Sequence, residues 1–192
     1  REVFAHFEPI MQRFGEVAGG ELDRLSRIVD RNPPVLEQRD RYGRDLDRIE
    51  YHPAYHQMEK IGFEDFQLHS MCHRENALGW TGHVPQLIKY AFRYMFAQSE
   101  IGMMCPLNMS DATTHVLKSY GSEELKAYLL PKLLAPTMKE MWRATQWMTE
   151  KAGGSDVGAL ETVARKENGV WRLYGEKWFA SHTDAHVALA LA

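Results

Sequence analysis

QWMTEKAGGSDVG, residues 146–158, is the stretch on which the reading of this chain turns. An apolar pair, Trp147-Met148, runs straight into Thr149-Glu150, and Gly153, Gly154, Ser155 and Asp156 follow in close order. Glycine lets a backbone approach another group closely and reach positive φ. The hydroxyls of Thr149 and Ser155 each donate and accept. Two readings fit these residues: a loop shaped around a polar planar ring or a phosphate, or a strand followed by a glycine-rich turn.

The texture of the chain changes just before this stretch. EMWRATQWMT (140–149) is aromatic and β-prone. ALETVARKE (159–167) and VWRLYGEKWFAS (170–181) alternate roughly apolar and polar, and Asn168-Gly169 between them predicts a hairpin. AHVALALA (185–192) predicts a further strand. We therefore expect residues 140–192 to begin an antiparallel β-domain. An apolar edge strand at the end would be an aggregation hazard, so we expect a longer protein of which this is the front part.

Residues 1–139 read as a helical domain. FAHFEPIMQRFGEVAGGELDRLSRIV (4–29) places Phe7, Ile10, Met11, Phe14, Leu22, Leu25 and Ile28 at helical spacing, with a break expected at Gly19-Gly20. Asn32-Pro33-Pro34 is a stop, and the charged, turn-rich stretch 30–53 reads as a long connection. Further helices are expected over 53–66, over 82–105 with Pro85 in the first turn, from about Ser110 to Tyr120, and from Ser122, as cap, to Leu134.

The bulk numbers narrow the class. At 192 residues and 44% hydrophobic content the chain can bury a real core, as one large domain or one domain and part of a second. A net charge of −3 supplies no basic footprint for nucleic acid or an anionic membrane. The two cysteines, Cys72 and Cys105, fit a reducing compartment, so we expect a cytoplasmic protein. No apolar run approaches the roughly 20 residues of a membrane helix.

Three segments in order carry a family resemblance: GSEELKAYLLPKL (121–133), MTEKAGGSDV (148–157) and LYGEKWFAS (173–181). They resemble the G-[ST]-E-E-x-K-x-x-x-L-P-x-L, T-E-P-x-A-G-S-D and L-x-G-x-K-x-W-I-[ST] segments of the acyl-CoA dehydrogenase flavoproteins. Lys151, where most of that family has Pro, and NPPVLEQRDRYGRDLDRIEYHPAYH (32–56) are similar to its AidB-like branch. The resemblance implies an α+β multidomain fold: an all-α domain, then an antiparallel β-barrel domain, then a C-terminal helical bundle outside this sequence.

It also implies FAD as cofactor and α,β-dehydrogenation of an acyl-CoA thioester. Thr149 matches the Thr that bonds the pyrimidine end of the flavin, and Met148 an apolar neighbour of the ring. Gly154 matches a close-approach position. Ser155 matches a Ser near the FAD phosphate or the acyl entrance, and so a substrate contact as well. Ser181 matches the hydroxyl facing flavin N5. Phe179 falls at the family's Trp position with Trp178 one place earlier, which leaves open which of the two lies on the ring. Gln146 completes the expected cofactor-binding set. The catalytic base is expected beyond Ala192, and Glu150 is given a structural role. Family members form dimers or tetramers, so a homo-oligomer is expected. The alternative that the branch implies is a flavin-containing, DNA-protecting protein of the alkylation response with weak turnover, its DNA contacts in the C-terminal region.

Other clusters read as packing. His69, Cys72 and His73 would share a face if 68–76 were helical, but zinc wants further ligands and a second shell, so no metal site is assigned. His52 and His56 are spaced as a helical face, the methionines at 95, 103, 104 and 109 as adaptable core, and RDRYGRDLDR (39–48) as a solvated loop.

Overall fold

The computed structural model describes all 192 residues. Helix α1 (Glu2–Val17) passes through a wide, π-helical turn at Ala18–Leu22 into α2 (Asp23–Val29). The expected break at Gly19-Gly20 does not occur. Phe14, Ala18, Leu22 and Leu25 form one buried series across it. Burying Leu22 and Leu25 is worth about 1.5–3 kcal/mol each, against roughly 1 kcal/mol lost per helical glycine. Both glycines face open space.

The stretch read as a long connection is a β-hairpin. β1 (Val35–Arg39) pairs antiparallel with β2 (Asp45–Glu50), with Val35 opposite Glu50 and Glu37 opposite Arg48. The Asp40 carboxylate accepts from the backbone N of Tyr42 and Arg44, and Gly43 takes φ +79° in the turn. Nearly every residue of the two strands is exposed, so the sequence carries no inward-outward alternation. Arg48 reaches Glu37 across the ladder and Glu50 on its own strand.

Helix α3 (Pro53–Glu59) begins with His52 as cap, its Nδ1 accepting from Ala54 N at 3.1 Å, and ends in a second wide turn, Lys60–Asp65. Residues 67–80 are a series of turns, not the helix that a shared His69–Cys72–His73 face requires. His69 Nε2 lies 3.2 Å from the Leu133 carbonyl, whereas His73 Nε2 lies 2.7 Å from Asp111. α4 (Gln86–Ser99) and α5 (Met104–Tyr120) follow, α5 starting a turn and a half earlier than expected with Pro106 in its first turn. Lys89 and Arg93 of α4 close on Asp111 of α5 at 2.9 Å each. Burial works to raise the Asp111 carboxyl, but His73, Arg93 and Lys89 outweigh it and hold it well below the usual carboxylate range. α6 (Glu123–Leu133) is capped by Ser122 Oγ, which accepts from Leu125 N at 3.2 Å. No helix is long and apolar enough to cross a membrane.

β3 (Ala144–Trp147) lies directly on α5: Ser110 Oγ donates to the Ala144 carbonyl and accepts from Ala144 N, at 3.1 Å each. β4 (Val163–Glu167) and β5 (Val170–Tyr174) form the hairpin expected at Asn168-Gly169, both turn residues at positive φ. β6 (Val187–Ala190) corrects the antiparallel expectation. It runs parallel to β3, with Ala144 opposite Val187 and Trp147 opposite Ala190. After β5 the chain returns along residues 175–186 and re-enters beside Arg143, whose carbonyl accepts from His186 N and Val187 N. That return is a crossover, which a parallel pair requires. The strands make three two-stranded ladders, and no closed barrel is formed.

Candidate functional site

β3 delivers Gln146 and Met148, both half-buried, to the mouth of the 149–156 loop. Residues 177–181 run alongside. Trp178 N donates to the Thr149 carbonyl at 2.8 Å. The Ser181 carbonyl accepts from Thr145 Oγ1 at 2.7 Å and Trp147 Nε1 at 3.3 Å. The two segments that the sequence singled out are thus joined along the length of β3.

Their strongest link is one that the sequence reading passed over. Glu150 is buried, and Lys177 Nζ reaches its carboxylate at 2.6 Å. The same carboxylate accepts from Glu161 N at 2.6 Å, from Thr162 N and from the Thr162 hydroxyl. Lys177, then the Thr162 hydroxyl, hold its pKa down at about 2. Opposite charges set beside each loop, Glu150 after Thr149 and Lys177 before Trp178, were the signal available in the sequence. A Cβ on Gly175 would stand 2.2 Å from Thr162 Oγ1, so the chain passes the clamp only as glycine.

The adjacent glycines do different things. Gly153 closes the loop by exchanging backbone hydrogen bonds with Glu150 at 3.0 and 3.2 Å, and a Cβ there would meet the Asp156 carbonyl at 2.6 Å. Gly154 is exposed, and a Cβ there would meet only Thr149 Cγ2, at an ordinary 3.8 Å. Nothing within the chain requires glycine at 154.

Ser155 and Ser181 are exposed and Thr149 is half-buried. Trp178 and Phe179 meet edge to face at 5.4 Å. Lys151 Nζ lies 4.7 Å over the Trp178 ring, while Phe179 is 82% exposed and sits at φ +54°. A bulky residue in the left-handed region is strained, and such strain concentrates at binding sites. A flat heteroaromatic cofactor needs an apolar wall, a few neutral donors at its polar edges and a backbone it can touch. Met148 and Phe179, the three hydroxyls and the open Gly154 supply these, so the residues fit FAD.

A second polar cluster, not foreseen, lies at the other end of β3. Buried Glu59 pairs with Arg143 and accepts from His56 Nδ1 at 2.9 Å. His186 stacks on Trp142 with ring centroids 5.6 Å apart.

The family profile described as the adaptive response protein AidB N-terminal domain matches residues 4–140, and that of the acyl-CoA dehydrogenase middle domain matches residues 145–192. Acyl-CoA dehydrogenase family member 11 of Caenorhabditis elegans is 31% identical over 95% of this chain and 30% of its own length. Putative acyl-CoA dehydrogenase AidB of Escherichia coli (strain K12) is 34% identical over 94% of this chain and 34% of its own length. The chain therefore spans about a third of these relatives. The apo form of Bd2924 superposes with a TM-score of 0.82 at 30% identity, covering 98% of this chain and 37% of that one. The crystal structure of Caenorhabditis elegans ACDH-11 in complex with C11-CoA gives 0.81 at 29% identity, covering 98% of this chain and 31% of that one.

Proposed function

The chain belongs to the acyl-CoA dehydrogenase family, in its AidB-like branch, and from that premise we propose that the intact protein is an FAD-dependent oxidoreductase that desaturates an acyl-CoA thioester between its α- and β-carbons. The observation that carries the reading is the clamp. Glu150 and Lys177, with the Thr149 carbonyl on Trp178 N, hold two hydroxyl-bearing loops and an exposed aromatic along one strand. FAD supplies the two-electron acceptor for the β-hydrogen.

The chain's own residues bind and position. Thr149 donates to the polar edge of the flavin, and its hydroxyl does not titrate near neutral pH. Ser181 serves the opposite loop. Met148 and Phe179 give apolar walls that exclude water, Phe179 being the aromatic of the pair that stands free. Gly154 lets the backbone come close, Ser155 faces the phosphate or the thioester entrance, and Gln146 lies alongside Met148. Glu150 is not the base that takes the α-proton: a carboxylate held at about 2 by Lys177 and Thr162 is too weakly basic, and its oxygens are engaged. The protein is further proposed to be a cytoplasmic homo-oligomer.

The second reading is a flavin-bearing DNA-protecting protein with little turnover, favoured by the match of residues 4–140 to the AidB N-terminal profile. One experiment separates the two. Purified intact protein is mixed anaerobically with saturated acyl-CoA thioesters of several chain lengths while flavin absorbance near 450 nm is followed. Bleaching with formation of the enoyl thioester supports the dehydrogenase. A flavin that no thioester reduces, together with tight DNA binding, moves the assignment to the second reading.

A further inference from the structure

At the end of β3 away from Met148 a cleft of about 430 Å³ separates α3 from the segment leading into β3. Its polar wall is made of Lys60, Lys139, Arg143, His56 and His186, with Glu59 the one carboxylate. Glu59 is buried and occupied by Arg143 and His56. Lys60 is paired with Asp65 and, at 3.6 Å, Glu64. Lys139 is exposed and has no ion-pair partner. Arg143 uses Nη1 on Glu59, and its Nε is buried with no partner. His186 Nδ1 accepts from Arg143 N at 3.2 Å, so the ring proton sits on Nε2 and that N–H is a donor. The Trp142 stack fixes the plane of the imidazole. Burial, then the charge of Arg143, lowers the His186 pKa, which keeps the ring in this neutral tautomer.

The cleft thus presents uncommitted donors from Lys139 and His186 beside the positive charge of Arg143, and its one carboxylate is already engaged. Its volume suits a small molecule. We propose that it binds the phosphate group of a small phosphorylated molecule, between Lys139, the exposed part of the Arg143 guanidinium and His186 Nε2. A phosphate offers several strong acceptor oxygens and needs donors of this kind. The site is distinct from the flavin loops: Arg143 and His186 precede Ala144 and Val187 at the start of the parallel pair, whereas Met148 and Thr149 follow its other end.

The test is calorimetric titration of the intact protein with inorganic phosphate at constant ionic strength in chloride, and separately with adenosine monophosphate. Saturable binding of inorganic phosphate, weakened about tenfold or more by Lys139→Glu and by His186→Gln, is the expected result. Lys139→Glu lies on an exposed side chain and leaves flavin absorbance unchanged, which checks that the fold is intact. Adenosine monophosphate binding about tenfold tighter than phosphate identifies an organic ester as the natural ligand; equal affinity identifies the free anion. No saturation by either probe up to about 10 mM overturns the proposal, as does binding that both variants leave unchanged.

Discussion

Phe14 sits among the rings of Phe66, Phe92 and Phe96 at centroid distances of 4.4, 5.2 and 6.3 Å. The corresponding centre of the segment after β3 is a charge: Glu150, surrounded by Lys177, Thr162 and the Glu161 amide. The helical block is held chiefly by non-directional apolar burial, which tolerates small errors of angle, with the Asp111 cluster as a directional knot within it. The loop pair is held by a few directional bonds, and the apolar side chains of its hairpin, Val170, Trp171 and Leu173, are exposed. Burial makes a stable body. Directional bonds set where Thr149, Phe179 and Ser181 stand, which is what a binding site requires.

The contrast gives a ranked set of expectations. Phe14→Ala empties the aromatic centre and should cost about 3–5 kcal/mol in global stability, read by urea denaturation. A loss below 1 kcal/mol would mean that the block does not depend on this cluster. Lys177→Met removes the cation from a buried carboxylate. It should weaken FAD binding by roughly one to two orders of magnitude, since loop positioning is lost, and speed proteolysis within residues 149–181 while the helical block stays resistant. Uniform proteolysis of both regions would contradict the division of labour.

Acid should separate the regions as well. Glu150 is held at about 2 against a reference of 4.5. A depressed folded-state pKa stabilises above the unfolded value, so the clamp's contribution is full above about 4.5 and is lost as pH falls toward 2. Trp178 fluorescence should report loosening of the loops in that window before helical circular dichroism is lost. The smallest effect is at Gly20: Gly20→Ala, in an open helical position, should stabilise by about 0.5–1 kcal/mol.

The same contrast explains what could be read from the residues alone. Apolar spacing marked Phe7, Phe14, Leu22 and Leu25 because period carries burial, and Asn168-Gly169 marked its hairpin because the turn needs two positive φ values. The Gly19-Gly20 break was misjudged because local propensity lost to the packing of Leu22 and Leu25. The 35–50 hairpin left no trace because an exposed ladder has no apolar face. The parallel partner of β3 was hidden because strand direction depends on the route of residues 175–186, fixed by the Glu150 clamp and the Thr162–Gly175 approach. The two segments proposed to hold the flavin were legible as motifs, and the structure brings them together. The bond between them lay in two ordinary charged residues whose meeting only the fold reveals.

The central claim is that the loop pair is shaped for a flavin and not only for its own turn, and Gly154 tests it most directly, because nothing in the chain occupies the space beside it. The measurement is FAD retention by the purified intact protein, from its absorbance after gel filtration, in wild type and Gly154→Val at matched thermal stability. The account predicts a yellow wild type and a folded, colourless Gly154→Val. A wild type that takes up no FAD, or a Gly154→Val that holds it as tightly as wild type, would contradict it.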